Sequence, residues 1–156
     1  MSKLTKQMIE DLGNKVVKIC VNKGYDDTSV YFNGKRVHVG SGDIVFDDDY
    51  NYHFKDAPVE VTENCHPIDY FEYVNENHIL SMAFEGRLYD LLNYGSGSKS
   101  LEKLFEDYGV YYELGNSWNL TLYPNDDSTE VEGVQYKRKP DPIRLRENGL
   151  RKGVVK

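Results

Sequence analysis

Asp47, Asp49 and Asn51 stand at alternate positions, as the first three ligands of a calcium loop do. Such a loop needs Gly at its sixth position and a bidentate Glu at its twelfth. Tyr52 and Pro58 stand there instead, so the stretch reads as a solvated acidic turn. Magnesium would require acids from elsewhere, such as Asp43 or Glu60. Cys20, Cys65, His66 and His53 are zinc-ligand types, but structural zinc uses closely spaced pairs. Cys65 and His66 are adjacent, and Cys20 falls on an apolar helical stripe that suits a core thiol. Cys65 with His66 or His78 has the types of a nucleophile and its base, without a motif. Adjacent side chains on a strand point to opposite faces, which makes His66 a poor base for Cys65.

Gly95-Ser96-Gly97-Ser98-Lys99-Ser100 precedes a helical pattern, where a phosphate loop would lie. That motif requires G-x-x-x-x-G-K-[ST] after a strand; here Ser98 separates Gly97 from Lys99 and a helix comes first. The stretch reads as a linker between helices. Asp69, Glu72, Glu85 and Asp90 are the carboxylates available for acid–base work, and nothing in their spacing selects that over surface charge. Lys137, Arg138 and Lys139 with Arg144, Arg146, Arg151 and Lys152 form a basic run suited to phosphates or to an acidic surface. No catalytic, metal or cofactor motif is complete, and no cofactor is expected.

Charge is the most informative global feature. Residues 1–24 carry net +3, residues 25–134 net −16 and residues 135–156 net +6, which together make the overall −7. An acidic body repels nucleic-acid phosphates and attracts basic protein surfaces. Thirteen tyrosines add rigid rings that lose little entropy on binding. Many of them must be ordinary strand residues.

These side chains need a scaffold, and 156 residues with 39% hydrophobic content suffice for one core. No apolar run approaches the ~18–20 residues of a membrane span. The N-terminus lacks the apolar stretch of a signal peptide. Two cysteines without a framework point to a reducing compartment, so a cytoplasmic location is expected.

Leu4, Met8, Leu12, Val16 and Cys20 repeat every four residues, widened by Ile9 and Ile19, and predict a helix from Leu4 to Lys23 stopped by Gly24. Thr28 to Val39 predicts a hairpin turning at Asn33-Gly34. Ile44-Val45-Phe46 and Val59-Glu60-Val61 predict short strands, while Tyr50 to Pro58 gives no signal. Ile68 to Phe84 alternates and predicts a second hairpin turning at Asn75-Glu76-Asn77, central in the sheet. Leu88, Leu91 and Leu92 predict a short helix closed by Gly95. Leu101, Leu104, Phe105 and Tyr108 share a face of a helix capped by Ser100 and ended by Gly109. A hairpin follows, with a turn expected at Gly115-Asn116, Trp118 on its apolar face and Pro124 at its end. Val131, Val134 and Tyr136 predict one edge strand.

The expected fold is α+β: a mostly antiparallel sheet built from hairpins, with three helices packed on one face. Residues 1–136 form the domain and 137–156 a basic tail. The leading expectation is a small non-enzymatic binding protein whose acidic, Tyr-rich surface docks a basic, nucleic-acid-binding protein and mimics phosphate. Its contact residues are expected at Asp47, Asp48, Asp49, Tyr50, Tyr52, Asp69 and Glu72, with Lys137, Arg138, Lys139, Arg144 and Arg146 of the tail. Phage-type antagonists of host nucleases, such as anti-CRISPR proteins, are similar in size and charge; this is an analogy without a shared motif. A second expectation is a nucleic-acid-binding accessory protein using the tail. A third is a small enzyme or ligand binder with a pocket between sheet and helices. Self-association through the strands or the tail is compatible with all three.

Overall fold

The computed structural model describes residues 3–50, 52–71, 74 and 77–132. A two-residue strand, β1 (Lys3–Leu4), leads into helix α1 (Lys6–Lys23). The Thr5 hydroxyl caps α1 by accepting from Met8 N–H at 3.1 Å. Gly24 closes it in the left-handed region at φ 68°. Leu12, Val16 and Cys20 are buried, whereas Met8 is exposed and Ile9 and Gly13 take the inward side. A strict four-residue repeat drifts by about 40° per step on a helix of 3.6 residues per turn, so Met8 rotates off the face. Gly13 has a packing reason. A Cβ there would lie within 2.5 Å of Phe32 Cγ and Cε2, so the bare backbone lets the Phe32 ring sit against the helix.

Strands β2 (Thr28–Phe32) and β3 (Lys35–Val39) pair antiparallel through Asn33 and Gly34, both at positive φ. Next comes a separate two-stranded ribbon, β4 (Asp43–Phe46) with β5 (Tyr52–Lys55). Then β6 (Val59–Glu63) returns to pair with β3. Gly40 N–H donates to the Pro58 carbonyl at 2.9 Å, beyond the last β3–β6 pair.

The predicted hairpin over Ile68 to Phe84 is corrected by the structure. Pro67–Asp69 is a 3₁₀ turn, in which Tyr70 N–H reaches the Pro67 carbonyl at 3.0 Å. Pro67 fixes a helical φ at the first position and starts the turn. Ile68 and Phe71 are both buried, a spacing of three that the alternation concealed. Of the expected pair, the described strand is β7 (Leu80–Phe84). It is central, but its partners are β2 and the later β9 (Asn119–Pro124).

Helices α2 (Arg87–Asn93) and α3 (Lys99–Asp107) follow. Ser98, not Ser100, caps α3, its hydroxyl accepting from Leu101 N–H at 3.4 Å. β8 (Val110–Asn116) then pairs with β9. The expected turn at Gly115-Asn116 moves to Ser117-Trp118 because the ladder is irregular between Leu114 and Asn116. Asn116 Oδ1 accepts from Trp118 N–H at 3.1 Å and fixes that turn. Trp118 is therefore exposed on the turn, with its ring 5.7 Å from that of Phe71, rather than part of the main core. Finally β10 (Glu130–Val131) pairs in parallel with β1. Val134 and Tyr136, expected in the same strand, lie outside the described residues.

The six-stranded sheet has the order β6-β3-β2-β7-β9-β8, with every neighbouring pair antiparallel. One face carries Val30, Val37, Met82 and Leu120, which stand opposite one another and join the helix residues Leu12, Val16, Leu88, Leu101 and Phe105 in the main core. The other face carries Ser29, Tyr31, Ser81 and Thr121, all buried. Tyr31 there packs with Cys65 and Phe71 in a second, smaller cluster. Among the described residues no helix is long and apolar enough to cross a membrane.

Candidate functional site

Asp47 makes the tip of the β4–β5 ribbon. Its carboxylate accepts from Asp49 N–H at 2.9 Å and its carbonyl from Tyr50 N–H at 3.1 Å. Tyr50 is thereby held at φ 64°, a conformation that non-glycine residues rarely adopt, and its ring is 88% exposed. Asp47, Asp48 and Asp49 are all exposed beside it.

Across from this tip stands α2. Arg87, Asp90, Leu91 and Tyr94 follow one another at i, i+3, i+4 and i+7, so they share one side of the helix. With Gly95, Tyr50 and Tyr52 they line a cleft of about 530 Å³. Arg87 ties the two walls together. Its Nη1 donates to the Tyr52 carbonyl at 3.4 Å, and its guanidinium lies 5.9 Å from the centre of the Tyr52 ring. Tyr94 is 80% exposed, and Asp90 forms no ion pair among the described residues. The cleft thus offers tyrosine rings, one carboxylate and one guanidinium, next to the acidic tip of the ribbon. Ring faces and a carboxylate are groups that suit a cation, and Arg87 is itself one cation already in the lining.

Five expected contact residues, Asp47, Asp48, Asp49, Tyr50 and Tyr52, come together here. Asp69 lies apart from them in sequence and structure, on the 3₁₀ turn. Glu72, Lys137, Arg138, Lys139, Arg144 and Arg146 lie outside the described residues. The α2 wall of the cleft was not among the expected residues. Its signal was the spacing of Arg87, Asp90, Leu91 and Tyr94, which the apolar set Leu88, Leu91 and Leu92 overshadowed.

The other chemical candidates come apart. Cys20 belongs to the main core and Cys65 to the second cluster, so they do not form a metal site together. Burial pushes the Cys20 thiol up to about 12. Among the described residues no three of His, Cys, Asp and Glu are grouped to hold a metal ion. In the Gly95–Ser100 stretch, the Ser98 hydroxyl is buried and hydrogen-bonded to Tyr25 Oη at 2.8 Å, so it faces inward. Glu85 lies just before α2 and Asp90 on it, and Asp69 on a different segment.

A further constellation has no sequence motif. Ser29 and His38 are directly opposite in the β2–β3 register, with Ser29 Oγ 2.8 Å from His38 Nδ1. His38 Nε2 lies 3.6 Å from Asp27 Oδ1, and Arg36 Nε donates to the same Ser29 oxygen at 3.0 Å. The types match a Ser-His-Asp relay. Ser29 is only 4% exposed, however, and a reacting carbon must come within about 3–3.5 Å of the nucleophile. The arrangement instead satisfies polar atoms on a buried sheet face, as Ser81 and Thr121 do for each other at 2.9 Å.

No protein-family model, curated protein or solved structure matches this chain at a significant level. Its function is therefore argued from its own residues.

Proposed function

We propose that this protein is a small non-enzymatic binding protein that docks a basic surface of a protein partner through the β4–β5 tip and the adjoining face of α2. One observation carries the reading: two highly exposed tyrosines line a cleft next to a turn of three exposed aspartates, in a body of net −16 over residues 25–134. Exposed rings of this size are a hydration cost that a partner removes on binding. The carboxylates supply the charge complementarity and the encounter rate. In its specific form the partner is a nucleic-acid-binding protein, and the carboxylates and tyrosine hydroxyls stand where phosphates would lie. The basic residues among 137–156 would then serve as an auxiliary contact.

A second reading takes the cleft as a small-molecule site, favoured by its volume of about 530 Å³, which falls in the usual range for ligand pockets. The exposure of Tyr50 and Tyr94 favours a macromolecule, because a ligand of that size would leave both rings largely wet.

The test is capture of partners from lysate by the full chain, with and without nuclease, at low and high salt. The expected result is a nuclease-resistant protein partner released by salt and lost when Asp47, Asp48 and Asp49 are all changed to Lys. Binding to basic partners that ignores both salt and that charge reversal would refute the reading. Loss of all capture on nuclease treatment would transfer the function to the tail and nucleic acid.

A further inference from the structure

The following inference rests on the proposed binding role and narrows it to one side chain. We infer that the cleft between the β4–β5 tip and α2 is a seat for a single guanidinium group of the protein partner. The protein already makes this contact internally, since the Arg87 guanidinium lies over the Tyr52 ring and donates to the Tyr52 carbonyl. Beyond Arg87 the cleft still has Tyr50 and Tyr94, two highly exposed rings, the second in edge contact with Tyr89 at 6.2 Å between ring centres. A cation over the face of such a ring is attracted by the ring quadrupole.

Asp90 supplies the counter-charge. It lies on the same side of α2 as Tyr94 and one turn from Arg87, yet Arg87 is directed to Tyr52 and Asp90 forms no ion pair among the described residues. A planar guanidinium can stack on a tyrosine ring and present two parallel N–H groups to one carboxylate. An ammonium can do only one of these well. The single positive charge of Arg87 opposes an incoming cation. Asp90 offsets that charge, and Asp47, Asp48 and Asp49 on the turn before Tyr50 add negative charge nearby. Chemistry and charge therefore select arginine over lysine and both over a neutral group.

The test is a titration of the full chain with acetyl-arginine amide, followed by amide chemical shifts, with acetyl-lysine amide and acetyl-citrulline amide as comparisons. Citrulline keeps the planar shape without the charge. The expected result is saturable shifts at Leu91, Tyr94 and Gly95, weaker with the lysine compound and absent with citrulline at the same concentration. Tyr94→Ala should weaken the arginine compound by roughly two- to fivefold, the worth of one exposed cation–π contact. Asp90→Asn should weaken it further, and both residues are exposed, so the fold should survive each change. Equal shifts with citrulline, or an unchanged titration in Asp90→Asn, would overturn the seat. A partner captured in a salt-dependent way whose binding ignores Tyr94→Ala and Asp90→Asn would also overturn it, while leaving the acidic-surface reading standing. Saturable arginine binding without any captured partner would support the seat and remove the wider reading.

Discussion

Replacing Gly13 by Ala should destabilise the protein, although alanine is the better helix former. The new Cβ would meet Phe32 Cγ and Cε2 at 2.5 Å, where carbon pairs normally sit ~3.5–4.0 Å apart. The ring must retreat by about 1 Å or more. It has little room to do so, since Phe32 is 2% exposed and part of the main core. Overpacking of this kind costs about 1–3 kcal/mol. The helix gains about 1 kcal/mol from losing its glycine. The net expectation is a loss of up to about 2 kcal/mol. Asn14→Ala is the control, because Asn14 is exposed on the same helix and should gain a few tenths of a kcal/mol. Urea unfolding of both variants gives the two midpoints. A second comparison uses Phe32→Leu. The double variant Gly13→Ala/Phe32→Leu should be more stable than the sum of its parts, because the smaller side chain relieves the clash. If Gly13→Ala matched or exceeded Asn14→Ala in stability, the packing argument would be wrong.

Three further variants test the scaffold. Ser98→Ala should cost about 2–3 kcal/mol, since it removes the α3 cap and strips the buried Tyr25 hydroxyl of its partner. Tyr25→Phe should cost about 1 kcal/mol, because Ser98 keeps its cap bond; the reverse ranking in urea midpoints would contradict the assignment. Burial by itself would raise the Glu10 carboxyl, but hydrogen bonds from Lys35 and Asn33, with the Lys35 and Lys6 charges, hold it below its ordinary 4.5. A depressed folded value means stability present above 4.5 and lost as pH falls through the folded value. The stability gap between the wild type and Glu10→Gln should therefore narrow on acidification, and a gap that stays constant with pH would count against the ion pair.

Much of the scaffold was legible because it is written in local signals. The α1 stripe, Gly24 at its end and the Asn33-Gly34 turn each depend on residues within a few positions of one another. Legibility failed where distant contacts decide. Ile68 to Phe84 alternates like a hairpin, yet Pro67 starts a turn and β7 finds its partners in β2 and β9, far away in sequence. Trp118 looked like a core residue by type, but the irregular ladder before it shifted the turn onto it. The candidate site was half legible. Its acidic, aromatic tip stands out in the sequence as Asp47 to Tyr52. The wall on α2 does not, because a polar helical face looks like ordinary solvated surface until something stands opposite it. The Ser29–His38 contact follows from strand register, which no motif encodes.

The hydrogen bond from Gly40 to Pro58 has a consequence for how this surface can change. It brings together the two ends of the segment that carries the acidic tip, next to the paired Val39 and Val59. Loop closure is settled at its base, so each doubling of its length would cost only about 0.6 kcal/mol, while Ser41 bound to Asp26, Tyr52 bound to Arg87 and Ala57 packed on the main core hold its flanks to the body. Changes confined to the tip around Asp47–Tyr50 thus leave those contacts and the six-stranded sheet in place. The tip can then vary in sequence and length while the core that displays it stays the same.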